Sequence, residues 1–234
     1  MQTPTVRCDW GQKGIEHLLD QTDVFILIDV LCFTTCVDVA VARGALVYPY
    51  VWNDLSSAEF VERTGATMAV SSQKEGFSLS PASLTAIPAG TKLVLPSPNG
   101  STLSKMTGNV TTLAGCLRNA SAVAAVARGL GQRISVIAGG ERWKDQTLRV
   151  AVEDGLAAGA IIAALDGENS PEAEWVRLAY EGAKDRLGWF LEETLSGQEL
   201  LDRNRREDIR LAGMLNVSSC VPILRDGAYR PYPG

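Results

Sequence analysis

The sequence predicts an α/β protein with a mixed, largely parallel sheet, covered by helices in a three-layer α/β/α arrangement with a helical C-terminal segment. Along the chain, short β-branched apolar runs alternate with Ala-rich stretches of helical character, which is typical of this class. The 234 residues are 46% hydrophobic and 21% charged, as in ordinary globular proteins. No fixed-period repeat or linker-like segment interrupts them, so we expect a single domain over residues 1–234.

The first half of the chain contains mostly strand candidates. The run VFILIDV at 24–30 is typical of a buried strand, and a helix is expected over 34–43, where Gly44 ends it. His17 falls in a short amphipathic segment that we interpret as a surface helix. The other predicted elements of this half are a strand at 45–51, a helix at 56–63, and strands at 67–70 and 92–95.

The second half is richer in helix. Within the helix predicted at 148–165, Gly155 and Gly159 lie four residues apart, which permits close packing against a neighbour. The mixed charges at 202–208 are typical of a solvated helix face. The predicted elements are strands at 109–113 and 134–138, helices at 118–128 and 148–165, a mostly helical stretch at 171–215, and a last strand at 221–224 before an Asp226-Gly227 turn and a Pro-rich tail.

Charge and histidine content exclude several function classes. With 22 Lys+Arg against 27 Asp+Glu the net charge is −5, so the chain lacks the basic surface that supplies most nucleic-acid affinity. The single histidine, His17, argues against His-rich zinc sites and histidine-driven catalysis. We therefore expect no nucleic-acid partner.

The cysteines indicate a reducing compartment. They are five in number and scattered, without a CxxC pair, and no signal peptide is recognisable, so we expect free thiols and a cytoplasmic protein. Cys32 and Cys36 lie four residues apart but have no further zinc ligands nearby, so both are interpreted as small buried hydrophobes. Apolar runs are too short to cross a bilayer, which argues against a membrane partner.

The first polar cluster follows the strand predicted at 24–30. Asp29 closes a buried apolar run, where a carboxylate needs a cation, a metal or a hydrogen-bond network. Thr34 and Thr35 open the next helix and could cap it beside an anion site. Plain capping by the threonines, and a structural role for Asp29, remain open.

The second cluster is the loop LPSPNGSTLS at 95–104. Its prolines stiffen the chain, Asn99-Gly100 suits a turn with positive φ, and Ser101 can start a helix. Small residues beside a helix start suit a phosphate or sulfonate, although the loop lacks the Gly-Lys-Ser/Thr of a Walker A motif. Ser97, Asn99, Gly100 and Ser101 are the predicted substrate ligands here, and an ordinary turn is the alternative.

The third cluster follows the strand predicted at 134–138. Gly139-Gly140 permits a tight turn before Glu141 and Arg142, and the apolar helix beyond contains the adjacent acids Glu153 and Asp154. Because that helix is otherwise poor in polar residues, we expect it to be buried and its acids to need partners.

Together the clusters predict a site where strands end, the usual position of ligands in open α/β sheets. Carboxylates beside loops that suit anions are the pattern of Mg²⁺ held by acids, water and a substrate phosphate. The residues alone therefore predict a Mg²⁺-dependent enzyme acting on a small anionic phosphorylated substrate. Oligomeric state is open, and a homodimer is one possibility.

The same segments resemble the 2-phosphosulfolactate phosphatase family, the ComB family. The resemblance covers most of the chain in order and spacing: IDVLxxTT at 28–35, SPNG at 97–100, AGCLRNA at 114–120, GERW at 140–143, VEDGLAAGAI at 152–161, and EDIRLA with VP at 207–222.

The resemblance implies a Mg²⁺-dependent phosphatase that hydrolyses 2-phosphosulfolactate to 3-sulfolactate and phosphate, a step of coenzyme M biosynthesis in archaeal members. The matching positions are Asp29, Thr34, Thr35, Ser97, Asn99, Gly100, Glu141, Glu153 and Asp154. On chemical grounds we expect Asp29, Glu141 and one of Glu153 or Asp154 to hold Mg²⁺. The loop 97–101 and the helix start at Thr34-Thr35 would bind phosphoryl oxygens, and Arg142 would counter their charge.

Cys32 is a departure from the family pattern, which has arginine there in many members. Arg142 or Arg118 is expected to supply the missing charge. Two alternative functions remain: an aspartyl phosphatase of the haloacid dehalogenase type, although Leu31 replaces the second acid of that motif, and a non-catalytic binder of a phosphorylated or sulfonated metabolite.

Overall fold

The computed structural model describes residues 5–51, 57–70 and 76–234. The strands in these ranges are β1 (Thr5–Trp10), β2 (Val24–Ile28), β3 (Leu46–Tyr50), β4 (Thr67–Met68), β5 (Lys92–Pro96), β6 (Thr111–Gly115), β7 (Arg133–Ala138), β8 (Glu141–Arg142), β9 (Leu148–Arg149), β10 (Glu168–Asn169), β11 (Pro222–Arg225) and β12 (Ala228–Pro231). The α-helices are α1 (Gly11–Leu18), α2 (Phe33–Ala42), α3 (Ser57–Thr64), α4 (Pro81–Leu84), α5 (Gly100–Met106), α6 (Ala120–Leu130), α7 (Val152–Leu165), α8 (Pro171–Ala183), α9 (Leu187–Glu193), α10 (Leu195–Asp202) and α11 (Arg206–Ala212).

One sheet joins ten of the described strands in the order β10-β1-β7-β2-β6-β11-β12-β3-β5-β4. The strands from β10 to β6 are parallel to one another, and so are β3, β5 and β4. Between these two blocks lies the hairpin of β11 and β12, which pairs antiparallel with β6 on one side and β3 on the other. Because three antiparallel pairings separate the blocks, the block of β3 runs opposite to the block of β2.

The central strand β2 shows why the fold has three layers. All five of its residues are buried, and alternate side chains point to opposite faces of a strand. Val24, Ile26 and Ile28 join the core cluster that includes residues of α2, α6 and α7. Phe25 and Leu27 pack on the opposite face with residues of α1 and α5. The sequence prediction of a three-layer α/β/α fold with a mixed, largely parallel sheet is confirmed.

The predicted close packing at Gly159 is also observed. A Cβ on this residue would lie 2.6 Å from Tyr180 Cβ and would clash with the Val176 carbonyl oxygen, so glycine lets α7 and α8 approach. The five cysteines are free, and Cys32 and Cys36 are buried as expected. Among the described residues, no helix is long and apolar enough to cross a membrane.

The helix predicted at 148–165 begins later than expected. Residues 141–149 form the antiparallel hairpin of β8 and β9, and α7 starts at Val152 after an extended Ala151. Positive φ angles at Gly140 (66°) and Gln146 (69°) accommodate the turns. Glutamine is not one of the residue types that favour such a turn, so the hairpin was not predicted and the helix was expected to start too early.

The C-terminal tail is a strand rather than an irregular Pro-rich segment. Asp226 and Gly227 both have positive φ, the conformation of a tight hairpin turn, and β12 folds back on β11. Residues 5–10 form β1, a strand that the sequence analysis did not predict. His17 does lie in a short helix, α1. The other predicted elements are present with shifted ends, and residue 56, the predicted start of α3, lies outside the described residues.

Candidate active site

Asp29 is the centre of the site. It follows β2 directly, and only 6% of it is exposed. Its Oδ2 accepts hydrogen bonds from the Gly100 amide at 2.9 Å and the Ser97 hydroxyl at 3.3 Å, and its Oδ1 accepts one from the Phe33 amide at 3.3 Å. Burial, followed by the negative charge of Glu141, raises the pKa of Asp29 to about 7. The site therefore begins with a carboxyl group that is fixed in place and whose pKa lies well above its usual range.

Thr34 and Thr35 shape the turn that positions Asp29. Thr34 Oγ1 accepts from the Asp29 amide and donates to the Asp29 carbonyl, while Thr35 Oγ1 donates to the Val30 carbonyl at 2.7 Å. Both side chains are fully buried, and their hydroxyl protons serve the backbone. Direct contact of either threonine with substrate stays a prediction.

The loop after β5 closes over Asp29. The Gly100 amide, which we expected to face a phosphate, donates to the Asp29 carboxylate instead. A Cβ on Gly100 would clash with the Phe33 ring, so glycine is needed for this approach. Ser101 is buried, and its hydroxyl donates to the Leu95 carbonyl at 3.0 Å, which fixes the first turn of α5. Substrate binding by Ser101 likewise stays a prediction.

Asp154 joins the ends of two neighbouring parallel strands. Its Oδ1 accepts from the Val30 amide, after β2, and its Oδ2 from the Gly140 amide, after β7, each at 2.8 Å. The side chain is 3% exposed, and burial, Glu153 and Asp29 raise its pKa well above the usual range. Both oxygens are thus engaged in holding the two strand ends together.

Glu141 and Glu153 each have a carboxyl oxygen that receives no hydrogen bond from the described residues. Glu141 is half-buried, which raises its pKa, and only its Oε2 accepts a hydrogen bond, from Asn99 Nδ2 at 2.8 Å. Glu153 is 2% exposed, and its Oε2 is buried without a hydrogen-bond partner. Nearby, the buried Arg149 reaches the Ser196 hydroxyl at 3.4 Å and attracts Glu141 electrostatically. These two acids are the ones whose oxygens remain available as acceptors among the described residues.

Two cavities meet at the Asn99–Glu141 hydrogen bond, because both residues line both of them. One, of about 270 Å³, contains Asp29 and Ser97. The other, of about 330 Å³, contains Arg142, whose guanidinium donates to the Gln146 carbonyl at 3.2 Å. Arg142 therefore lines the neighbouring cavity rather than that of Asp29. A larger cavity of about 1050 Å³ near α3 contains none of the predicted site residues.

Residues 12–227 match the family model described as 2-phosphosulpholactate phosphatase. The chain belongs to the 2-phosphosulfolactate phosphatase family. It is similar to a 2-phosphosulfolactate phosphatase of Methanothermobacter thermautotrophicus, with 33% identity over 138 residues. That match covers 59% of this chain and 58% of the relative, so the chain spans little more than half of the relative's length.

In this family member, the cations that line the cavity of Asp29 were not predicted from the sequence. They are Arg203 and Arg205, between α10 and α11. The guanidinium of Arg205 lies close to Cys32, with Nη2 3.8 Å from Cys32 Sγ. Arg118 lies elsewhere, where its Nε donates to Asp38 Oδ2 at 2.8 Å. Of the two expected substitutes for the missing arginine, neither lines the cavity of Asp29.

The charged run 202–208 was thus wrongly interpreted as wholly solvated. Asp208 is 1% exposed, and its Oδ2 accepts from Arg205 Nε at 2.6 Å while its Oδ1 accepts from the Ser80 hydroxyl. The only local signal was the position of Asp208 within the EDIRLA segment of the family pattern. Its other partners, the Ser80 hydroxyl and the Ala82 amide, lie more than 120 residues away in the sequence.

The acids of the site fit a magnesium ion only as an incomplete ligand set. Among the described residues, no three Asp, Glu, His or Cys side chains lie close enough together to hold a metal ion by themselves. Mg²⁺, however, commonly binds through one or two carboxylates, with water and substrate phosphate completing its shell. The oxygens of Glu141 and Glu153 that accept no hydrogen bond from the described residues suit this chemistry, because carboxyl oxygens are the hard donors that Mg²⁺ prefers.

Proposed function

We propose that this member of the family is a phosphatase that hydrolyses 2-phosphosulfolactate, or a closely related phosphorylated small acid, to the hydroxy acid and phosphate. Family membership supports the reaction class. The observation that carries the proposal to particular atoms is the Asp29 carboxyl group, held by three donors in a cavity of about 270 Å³. That volume is at the small end of ligand pockets, which suits a substrate of this size.

Asp29 performs proton transfer in this proposal. A group with a pKa of about 7 is present in both protonation states at neutral pH, which is the condition for effective general acid–base catalysis. The Gly100 and Phe33 amides keep the carboxyl group in one orientation, so little reorganisation is needed during the reaction. The hydrogen bond from Asn99 holds the Glu141 side chain in place near the Asp29 carboxyl group.

The proposal includes Mg²⁺, held by Glu141 and Glu153. When bound, the ion would neutralise negative charge on the phosphoryl oxygens. Asp154 contributes by fixing the ends of β2 and β7, since both of its oxygens already accept amide hydrogens. A cytoplasmic location and a homodimer stay predictions.

Phosphate release by the purified protein tests the proposal. We expect release from 2-phosphosulfolactate in the presence of Mg²⁺, loss of release with a chelator, and slower release from simple alkyl phosphates. His17→Gln is the matched control, because His17 is exposed and its Nδ1 contacts only Asp9, at 3.1 Å. No release from any phosphorylated acid, with or without Mg²⁺, would overturn the proposal; tight binding without turnover would favour the metabolite-binding alternative.

A further inference from the structure

The cavity of Asp29 is lined by acids and by arginines. Asp29 and Glu141 follow β2 and β7. The lining from α10 and the link to α11 contains Arg203 and Arg205, together with the acid Glu199. Among the described residues, these two arginines are the only cations that line this cavity. They are therefore the groups of the lining that can balance the charge of an entering anion.

The two arginine side chains differ in how firmly the surrounding chain holds them. Arg205 is fixed by its bonds to Asp208 and the Leu79 carbonyl, which occupy Nε and Nη2, and its Nη1 makes no hydrogen bond to the described residues. Arg203 is exposed, and its guanidinium makes no hydrogen bond or ion pair with any part of the chain that the structure describes. One guanidinium is thus held in position and the other is free to close on a ligand.

We propose that Arg203 and Arg205 form a subsite for a second anionic group of the substrate, a sulfonate or carboxylate on the carbon that neighbours the phosphorylated one. This inference rests on the proposed function, with the phosphoryl group placed toward Asp29. Arginine donors arranged as a fork match the paired oxygens of such groups and bind them more strongly than neutral donors do. Arg203 and Arg205 are then the residues that select a substrate with this second anionic group.

The subsite also accounts for Cys32. A thiol at this position has no charge to offer, because burial raises the pKa of Cys32 far above neutrality. The Arg205 guanidinium approaches Cys32 from the link between α10 and α11, across 173 residues of sequence. Positive charge is thus supplied by a different element of the fold.

Substrate selectivity of Arg203→Ala tests the subsite. The two substrates are 2-phosphosulfolactate and isopropyl phosphate, which has a secondary phosphate ester but no second anion. We expect the variant to lose kcat/KM on phosphosulfolactate at least about tenfold more than on isopropyl phosphate, mainly through KM, with partial rescue by Arg203→Lys. Arg206→Ala is the matched control, because Arg206 pairs with Glu192 on the outer surface, and it should change neither value.

Calorimetric titration with 3-sulfolactate separates this inference from the proposed function. We expect the wild-type protein to bind it, and Arg203→Ala to raise Kd at least about tenfold. An unchanged Kd, or equal losses of kcat/KM on both substrates, would overturn the subsite even if phosphate is released. If the wild type releases no phosphate but binds 3-sulfolactate through Arg203, the subsite stands and the proposed reaction fails.

Discussion

Asn99 Nδ2 donates a 2.8 Å hydrogen bond to Glu141 Oε2, and this bond joins two loops that follow strands of opposite direction in the sheet. Asn99 follows β5, in the block of β3, whereas Glu141 follows β7, in the block of β2. The Gly100–Asp29 bond also connects the two blocks, because Gly100 lies four residues past the end of β5 and Asp29 directly follows β2. The site is therefore held at a junction between the two parallel blocks, which the C-terminal hairpin links within the sheet.

Gly100→Ala should damage this junction. A Cβ would clash with the Phe33 ring, so either α5 or Phe33 must move and the Gly100–Asp29 bond must lengthen. We expect a loss of about 1–3 kcal/mol in the free energy of unfolding, as for other overpacked sites, and a kcat at least about tenfold lower. Urea denaturation and phosphate release measure the two effects.

Gly129→Ala is the matched control, since a Cβ there meets no atom within 4 Å and the residue lies inside α6. It should stabilise the protein by about 0.5–1 kcal/mol through helix propensity. Equal effects of the two substitutions would contradict the packing described at Gly100.

Asp154→Asn should weaken the connection between β2 and β7. The amide oxygen can accept only one of the Val30 and Gly140 hydrogens well, so the amide nitrogen faces the other N–H. Leaving a buried donor unpaired costs about 1–3 kcal/mol, which urea denaturation followed by circular dichroism will detect. Asp185→Asn, in an exposed 3-10 helix, should stay within about 0.5 kcal/mol of wild type. Unaltered stability of Asp154→Asn would show that Asp154 does not hold these strand ends.

Asp23 should make the free energy of unfolding depend on pH. Its hydrogen bonds with the Arg133 side chain and the amides of Arg133 and Gln132 lower its pKa to about 2. Because the folded pKa is lower than the unfolded one, the stabilisation is present above about pH 4 and is lost as the pH falls toward 2. We expect Asp23→Asn to cost about 1 kcal/mol at pH 7, a value reduced for the partial exposure of the pair.

Urea denaturation of both proteins from pH 7 down to pH 3 measures this. The difference between wild type and Asp23→Asn should begin to shrink below pH 4. A difference that grows toward low pH would have the wrong sign for a lowered pKa.

The sequence was most informative where one physical rule decides the outcome. β2 is predictable because five consecutive buried residues can satisfy two opposite faces of a sheet. The tight approach at Gly159 follows from small residues in an apolar helix. The segments that contain Asp29, Ser97 and Glu141 do meet, as their position after predicted strands suggested, although their chemical roles stay predictions.

The remainder depends on contacts between distant segments. Nothing local distinguishes Arg205 from the solvated charges around it, because its partners Leu79 and Asp208 become buried only when α4 packs near α11. The opposite direction of β5 and β2 follows from the pairing of β11 and β12 with their neighbours, which turn residues alone do not reveal. For the same reason, the sequence did not reveal that the Gly100 amide, expected to bind a phosphate, donates its hydrogen bond to the Asp29 carboxylate.

The rate of phosphate release from 2-phosphosulfolactate by wild type and Asp29→Asn tests the central claim most directly. The variant should remain folded, because its amide oxygen can still accept from Gly100 and Ser97 and only the long bond from Phe33 is lost. With Mg²⁺ present, we expect wild-type turnover and a kcat about 10²- to 10⁴-fold lower for Asp29→Asn, the usual contribution of a general acid–base group. A folded Asp29→Asn protein that releases phosphate at the wild-type rate would contradict the account.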